Sequence, residues 1–320
     1  MPGTTRRAKI KAFAKVNLCL EVLGCRPDGY HDLRTVFQTI SLADDLEVGF
    51  TPGRQTSVEL ESSVDIENNL VVRAARAVLE ESGAKGLAKF RLKKKIPMGG
   101  GLGGGSTDAA AVLIALPVLT GRPIAWERLI DIGSTLGSDV PFFLMGGSAI
   151  GLGRGTELYP VADAQAQHVL LVAPRVHVST AEAYKALGRP LTSVDSLPKI
   201  NISQLVALAV GGGRIAGDWR DFCSNDFESV VFRQYPEIGE IRRKLEKFGA
   251  RLARMTGSGA AVFGVFEDVW SMDRASSALR NETVIPISFV SRARYFSAWR
   301  KGLSQHIDDN QWPLHSRYSR

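Results

Sequence analysis

Apolar residues take alternate places near the start of the chain. Ile10, Ala12, Ala14, Val16 and Leu18 are separated by polar or larger residues, which predicts extended structure over residues 9–23. Further strands are expected at 36–42 and 46–50. The alternation returns at 89–96, where Phe90, Leu92 and Ile96 face a core and Lys89, Arg91, Lys93 and Lys95 face water. Between the first strands, Arg26-Pro27-Asp28-Gly29 reads as a turn: Pro presets φ, Asp bonds its own backbone and Gly accepts positive φ. The period becomes helical over 68–82, with Leu70, Val71, Ala74, Ala75, Val78 and Leu79 on one face and Asn68 or Asn69 as cap. Seven residues, Gly99 to Gly105, hold six glycines and lead through Ser106-Thr107-Asp108 into an apolar helix ending near residue 119. A second helix is expected at 126–136, a short apolar strand at 140–144 and a turn at Gly146-Gly147.

After Thr156 the character changes. A buried strand is expected at 168–173, helices at 181–187 and 238–248, and strands at 250–255 and 260–266. A Gly-rich loop at 211–213 precedes Asn225-Asp226-Phe227-Glu228, which reads as a capping box with Asn as cap and Glu reaching back. The polar stretch 304–320 reads as a mobile tail. These shifts predict an N-terminal domain over 1–160, a C-terminal domain over 161–303 and the tail.

The 320 residues are 44% hydrophobic and 23% charged, which excludes a disordered, collagen-like or coiled-coil chain. A net charge of +7 permits anionic partners without choosing among them. Cys19, Cys25 and Cys223 form no CxxC pair, so neither a disulfide framework nor a zinc site is expected, and a reducing, cytoplasmic location follows. No run of 18 apolar residues predicts a membrane span, and no apolar segment follows the basic start to make a secretory signal.

Four features carry candidate chemistry. The glycine loop between a strand and a helix exposes backbone N–H groups beside a positive helix end, an arrangement that binds phosphate. Ser106 is a natural cap, and Asp108 suits the dipole of the first turn. Gly99-x-Gly101-x-x-Gly104 matches the dinucleotide fingerprint only formally, and no Gly-Lys-Ser/Thr follows to make a Walker loop. Asp139, in Gly137-Ser138-Asp139-Val140-Pro141, is either a general base toward a hydroxyl or a simple cap. Lys15 shares a face with Phe13 and Asn17 and is either a solvated residue or a site cation. Thr256-Gly257-Ser258-Gly259 is either an anion nest or a hairpin turn.

Together these residues resemble a known family. The segments 12–18, 97–110 and 256–259 look like the three motifs of the GHMP kinases (galacto-, homoserine, mevalonate and phosphomevalonate kinases). Within that superfamily, Arg26-Pro27-Asp28-Gly29-Tyr30-His31 and residues 136–143 resemble the branch that phosphorylates a cytidine diphosphate alcohol in non-mevalonate isoprenoid synthesis. Segments 36–40 and 225–228 strengthen the likeness, which spans about residues 9–290. Thr107 stands where Ser is usual and keeps the hydroxyl.

The resemblance implies an α+β fold of two domains, the first like domain 2 of ribosomal protein S5 and the second ferredoxin-like, with ATP and substrate meeting between them. It implies that Pro97, Met98, Gly99, Gly100, Gly101, Leu102, Gly103, Gly104, Gly105, Ser106 and Thr107 wrap the ATP phosphates. Thr256, Gly257, Ser258 and Gly259 would lie near them. Asp139 would be the base on the C2 hydroxyl of the erythritol unit, held ionised by Lys15. Asn17 would support the substrate, Tyr30 and His31 would contact the cytidine, and Tyr184 would stack on the cytosine. Magnesium would arrive with ATP, with no dedicated protein cage. Neither nucleic acid nor membrane is an implied partner, and the enzyme would be a monomer or weak homodimer. Two competing readings are a mevalonate- or homoserine-type kinase with the same loop, and an S5-like nucleic-acid binder favoured by the charge and by Lys93-Lys94-Lys95. For that lysine run, a solvated strand face is the better reading.

Overall fold

The protein, as a computed structural model, is described over residues 4–191 and 224–307. A long hairpin sets the architecture: β1 (Arg6–Cys25) runs antiparallel to β2 (His31–Pro52). The turn between them closes by Gly29 N donating to Arg26 O and Arg26 N to Tyr30 O. Residues 36–42 and 46–50, expected as two strands, are parts of one strand; the polar step at Asp44 is accommodated because its carboxylate is internally paired. The other edge of β2 takes β4 (Gly86–Lys93) along residues 45–52 and β5 (Ser148–Leu152) along 35–38. β3 (Ser57–Ser62) joins β4 in parallel, and β6 (Glu157–Pro160) joins β5. A second sheet holds β7 (His168–Ala173), β8 (Leu252–Met255), β9 (Val262–Phe266) and β10 (Thr283–Ile287) in the order β10-β7-β9-β8, all antiparallel.

Four helices belong to the first sheet. α1 (Leu70–Ser82) starts where Asn69 Oδ1 accepts from Val71 N at 2.9 Å and stops at Gly83, whose φ of 62° suits only glycine comfortably. α2 (Gly104–Thr120) is apolar on every side and buried from Thr107 to Pro117, so it forms the centre of the first core. α3 (Trp126–Leu136) lies beside it. Residues 140–144, expected as a strand, form the helix α4 (Val140–Met145): Pro141 presets the first turn, and Gly146 caps the end. An apolar run this short carries no period of its own. The second lobe adds α5 (Thr180–Leu187), α6 (Glu228–Gln234), α7 (Pro236–Lys247) and α8 (Val269–Ala278).

The hairpin threads three cores in succession. Ile10, Ala12, Leu46 and Val48 pack in the first; Val16, Leu18, Val36 and Ile40 pack with Val169 and Phe263 between the sheets; Leu20, Val22 and Leu33 pack in the second lobe. Register shifts between Phe13 and Lys15, Asn17 and Cys19, and Val22 and Gly24 add the twist this path needs. The last helix, α9 (Arg292–Leu303), returns to the first lobe. Trp299 Nε1 donates to Lys11 O at 2.8 Å and Tyr295 Oη to Phe143 O at 2.5 Å, so the chain end closes the first core rather than the second. Beyond it, His306 Nε2 bonds Arg7 O; the rest of the polar tail and the glycines at 211–213 lie outside the described residues.

Three local expectations change. Lys94 is not part of a solvated lysine face: its ammonium is buried between Asp44 and Asp108. Ser106 does not cap α2, which opens on Gly103 in the left-handed region, and Asp108 lies beyond the first turn. Glu228 does not reach back to Asn225; its Oε1 accepts from Met255 N at 2.8 Å and its Oε2 pairs with Arg242.

Candidate active site

One edge of β1 is spent on β2, and the other edge gathers the motifs. Lys15 N donates to Leu102 O, Asn17 N to Thr256 Oγ1, and Leu20 N to Ser224 O. Within six residues a single strand therefore anchors the glycine loop, the 256–259 turn and the 225–228 segment. Segments up to 239 positions apart are held by one backbone.

Lys15 is buried. Its Nζ donates to Asn17 Oδ1 at 2.6 Å, lies 5.5 Å from the centre of the Phe37 ring and stands 3.4 Å from Asp139 Oδ2. Asp139 occupies the cap position of α4, yet its side chain makes no capping hydrogen bond. Its carboxylate is instead turned to the ammonium, and the side chain stays one-third exposed (33%). A buried cation and a reachable carboxylate thus meet at one point.

Left-handed φ recurs at Gly99 (69°), Gly101 (73°) and Gly103 (71°), with opposite-signed φ at Gly100 and Leu102. Such alternation turns successive N–H groups toward a common concavity. The first helical bond of α2 is Thr107 N to Gly103 O, so the N–H groups of Gly104, Gly105 and Ser106 have no partner within the helix. Gly101 is pressed against the opposite turn: a Cβ there would lie 2.2 Å from Thr256 O. Gly101→Val is therefore expected to raise the KM for ATP at least about tenfold and also to lower the melting temperature, because an overpacked turn costs about 1–3 kcal/mol. ATP titration and thermal melting read the two effects; an unchanged KM in a folded variant would reject the loop assignment. Leu102 and Thr107 point into the core, and Met98 is exposed to solvent. Pro97 is half-buried, Gly99 abuts His177, and Gly100 faces Ala261.

The 256–259 turn is both a hairpin and a wall of the site. Gly259 N donates to Thr256 O, and Gly257 N donates to Asn17 Oδ1 at 3.0 Å. Asn225 Nδ2 holds the turn from behind, donating to Met255 O at 2.7 Å and Gly257 O at 2.8 Å.

At the other end stand aromatic rings. His31 stacks on Tyr184 with centroids 4.4 Å apart, and Tyr184 meets the edge of Phe227. Burial pushes the His31 imidazole below its ordinary range. Burial, with the nearby Asp139 charge, pushes the Tyr184 phenol up to about 12. Tyr30 is half exposed and carries the Arg154 guanidinium 3.4 Å above its ring centre.

A cavity of about 830 Å³ joins these parts. Lys15, Asn17, Asp139, Gly101, Gly103 and Ser106 line one end; Tyr30, His31 and Tyr184 line the other, with Gly257 and Ser258 along one side. Arg154, Lys185 and Arg189 also line it and had no marker in the sequence beyond a charge between glycines, on a short helix or just after it.

Two family models match the chain. The GHMP kinases N terminal domain matches residues 69–147, and the GHMP kinases C terminal domain matches 207–284. The 4-diphosphocytidyl-2-C-methyl-D-erythritol kinase of Solibacter usitatus is 52% identical over 99% of both chains. The chain belongs to the 4-diphosphocytidyl-2-C-methyl-D-erythritol kinase family of GHMP kinases. The corresponding kinase of Geobacter sulfurreducens is 40% identical over 86% of this chain and 95% of its own. A crystal structure of a 4-(cytidine 5'-diphospho)-2C-methyl-D-erythritol kinase superposes with a TM-score of 0.71 at 36% identity, covering 88% of this chain and 98% of that one. A homoserine kinase from Cytophaga hutchinsonii, 20% identical with a TM-score of 0.64 over 89% of this chain and 95% of its own, shares the fold. The two-domain α+β GHMP architecture expected from the motifs is thus the fold of this kinase family. No helix among the described residues is long and apolar enough to cross a membrane.

Proposed function

We propose that the protein transfers the γ-phosphoryl group of ATP to the C2 hydroxyl of 4-diphosphocytidyl-2-C-methyl-D-erythritol, giving the 2-phosphate and ADP. The observation that carries the reading is the Lys15–Asp139 contact at 3.4 Å, set in a cavity between a glycine-rich helix mouth and an aromatic shelf. The glycine loop and the free N–H groups of α2 hold the phosphates and offset charge on the departing ADP. Asp139 accepts the hydroxyl proton as the O–P bond forms; Lys15 steadies the carboxylate, and Asn17 holds both Lys15 and the 256–259 turn. Phosphoryl transfer asks for positioning and charge more than covalent help, which fits this residue set. Magnesium would arrive with the nucleotide and supply positive charge to its phosphates. With this reading we infer a cytoplasmic enzyme, a monomer or weak homodimer, that acts on small molecules rather than nucleic acid.

The test is ADP release with and without the cytidine diphosphate substrate, run beside mevalonate and homoserine. Release that needs the cytidine compound supports the reading; release with either other alcohol alone rejects it.

Tyr30, His31 and Tyr184 form the nucleoside end. His31→Ala removes one face of the stack on Tyr184 and is expected to raise the KM for the cytidine substrate about tenfold, since base–aromatic stacking contributes about 1–3 kcal/mol. The KM for ATP should change less than about twofold. Equal rises in both would assign His31 a general structural role.

A further inference from the structure

We propose that Lys94, Asp44 and Asp108 form a charged floor beneath the ATP phosphate site, and that ATP binds best when Asp108 carries a proton. The inference rests on the glycine loop being the ATP site.

The three side chains are sealed from solvent, with exposures of 5%, 0% and 2%. Lys94 Nζ donates to Asp44 Oδ2 and, at 2.7 Å, to Asp108 Oδ2. A Cβ on Gly104 would lie 3.1 Å from that ammonium, so the cluster sits directly behind the first residue of α2. Two carboxylates share one cation, but unequally. Asp44 also accepts from the backbone N–H groups of Lys95 and Ile96. Asp108 accepts from Lys94, and among the described residues its buried Oδ1 has no hydrogen-bond partner. Of the two, Asp108 is the less compensated. Burial pushes its carboxyl up to about 7 against the pull of Lys94, and the Asp44 charge adds to the rise.

Among the described residues, the charges acting most strongly on Asp108 are Lys94 and Asp44; the adjacent Asp45 is paired with Lys11 and Lys95. The buried residues that α1, α3 and α4 bring to this core are apolar or glycine. On β1, Lys15 lies against Gly103 and lines the cavity, and Lys11 pairs with Asp45. The charge behind the helix mouth therefore turns on Asp108. With Asp108 protonated the cluster is neutral; with Asp108 ionised it carries one negative charge.

That charge faces a ligand of the same sign. Asp108 lies one turn into α2, about 6 Å along its axis, so a phosphate at the helix mouth is roughly 10 Å away. At that distance, with an effective dielectric constant of about 20, one unit charge changes affinity by about tenfold. An acidic side chain near a helix start ordinarily complements the dipole. Here it competes with the anion the helix end is built to hold. By linkage, ATP binding then draws a proton onto Asp108.

Asp108→Asn fixes the neutral state and keeps the Lys94–Asp44 pair. The experiment is the KM for ATP of both proteins from about pH 6 to pH 8.5, with the cytidine substrate saturating. Their ratio cancels the titration of ATP itself. The wild-type value divided by the variant value is expected near one at about pH 6 and about five- to tenfold at about pH 8.5. A merely structural Asp108 would give a ratio that does not move with pH, and that result overturns the proposal. Should the variant fail to fold, calorimetry of ATP binding to the wild type near pH 7.5, in two buffers of different ionisation enthalpy, supplies the answer. An uptake of about half a proton per ATP is expected; zero uptake overturns the proposal. No ATP binding at any pH would reject the loop reading, and this inference with it.

Discussion

Asp139→Asn is expected to lower kcat by roughly 10²–10⁴, the usual contribution of a general base. The side chain is free for that work because it does not cap α4, although it stands at the cap position. Asn keeps its size and one oxygen but takes no proton at neutral pH. ATP binding should survive, because backbone N–H groups of a different segment provide it. The fold should survive too, since among the described residues Asp139 pairs with Lys15 alone and its side chain is one-third exposed. Steady-state kinetics, ATP calorimetry and thermal melting check the three parts. Turnover within about threefold of wild type in a folded protein would remove Asp139 from the mechanism.

Much of this was legible because local chemistry and tertiary demand agree. Alternation over 9–23 marks a strand that runs through all three cores and is the spine of the site. The 68–82 pattern and Asn69 mark a helix whose cap and stripe are both used. Glycine density marks the loop, because left-handed φ at three alternate positions favours glycine and each is pressed against a neighbour: Gly99 on His177, Gly101 on Thr256 and Gly103 on Phe143. The parts that were not legible depend on distant partners. Lys94 looks like one of three solvated lysines until Asp44, 50 positions earlier, and Asp108, 14 later, come beside it. Glu228 has the spacing of a capping box, but Met255 N and Arg242 outbid the local partner. α9 carries nothing in its sequence to say that Trp299 will close against Lys11, 288 residues away. Arg154 lies over Tyr30 because a β5–β6 turn folds back on the β1–β2 turn, and no window of sequence contains both.

Lys15→Met separates chemistry from stability, and for that reason its outcome is the more telling. A buried ammonium is costly to desolvate, and an apolar isostere in its place is often neutral or stabilising when no charge is left stranded. Its partner Asp139 is not stranded, because solvent reaches one-third of it. Asn17 keeps Gly257 N and its own bond to Thr35, so the turn stays in place. The melting temperature is therefore expected to hold or rise. Activity should nevertheless fall by about 10² or more in kcat, because the carboxylate loses the cation that steadies and orients it for proton transfer. Pairing this change with Asp139→Asn supplies the decisive measurement. If the two residues act as one unit, the double variant should be scarcely slower than Asp139→Asn alone, far from the product of the single losses. Independent roles would multiply the losses, and that result would break the pair into two separate contributions. A Lys15→Met protein that loses activity only in proportion to lost fold would assign the lysine to structure, leaving Asp139 without its partner in the proposed reaction.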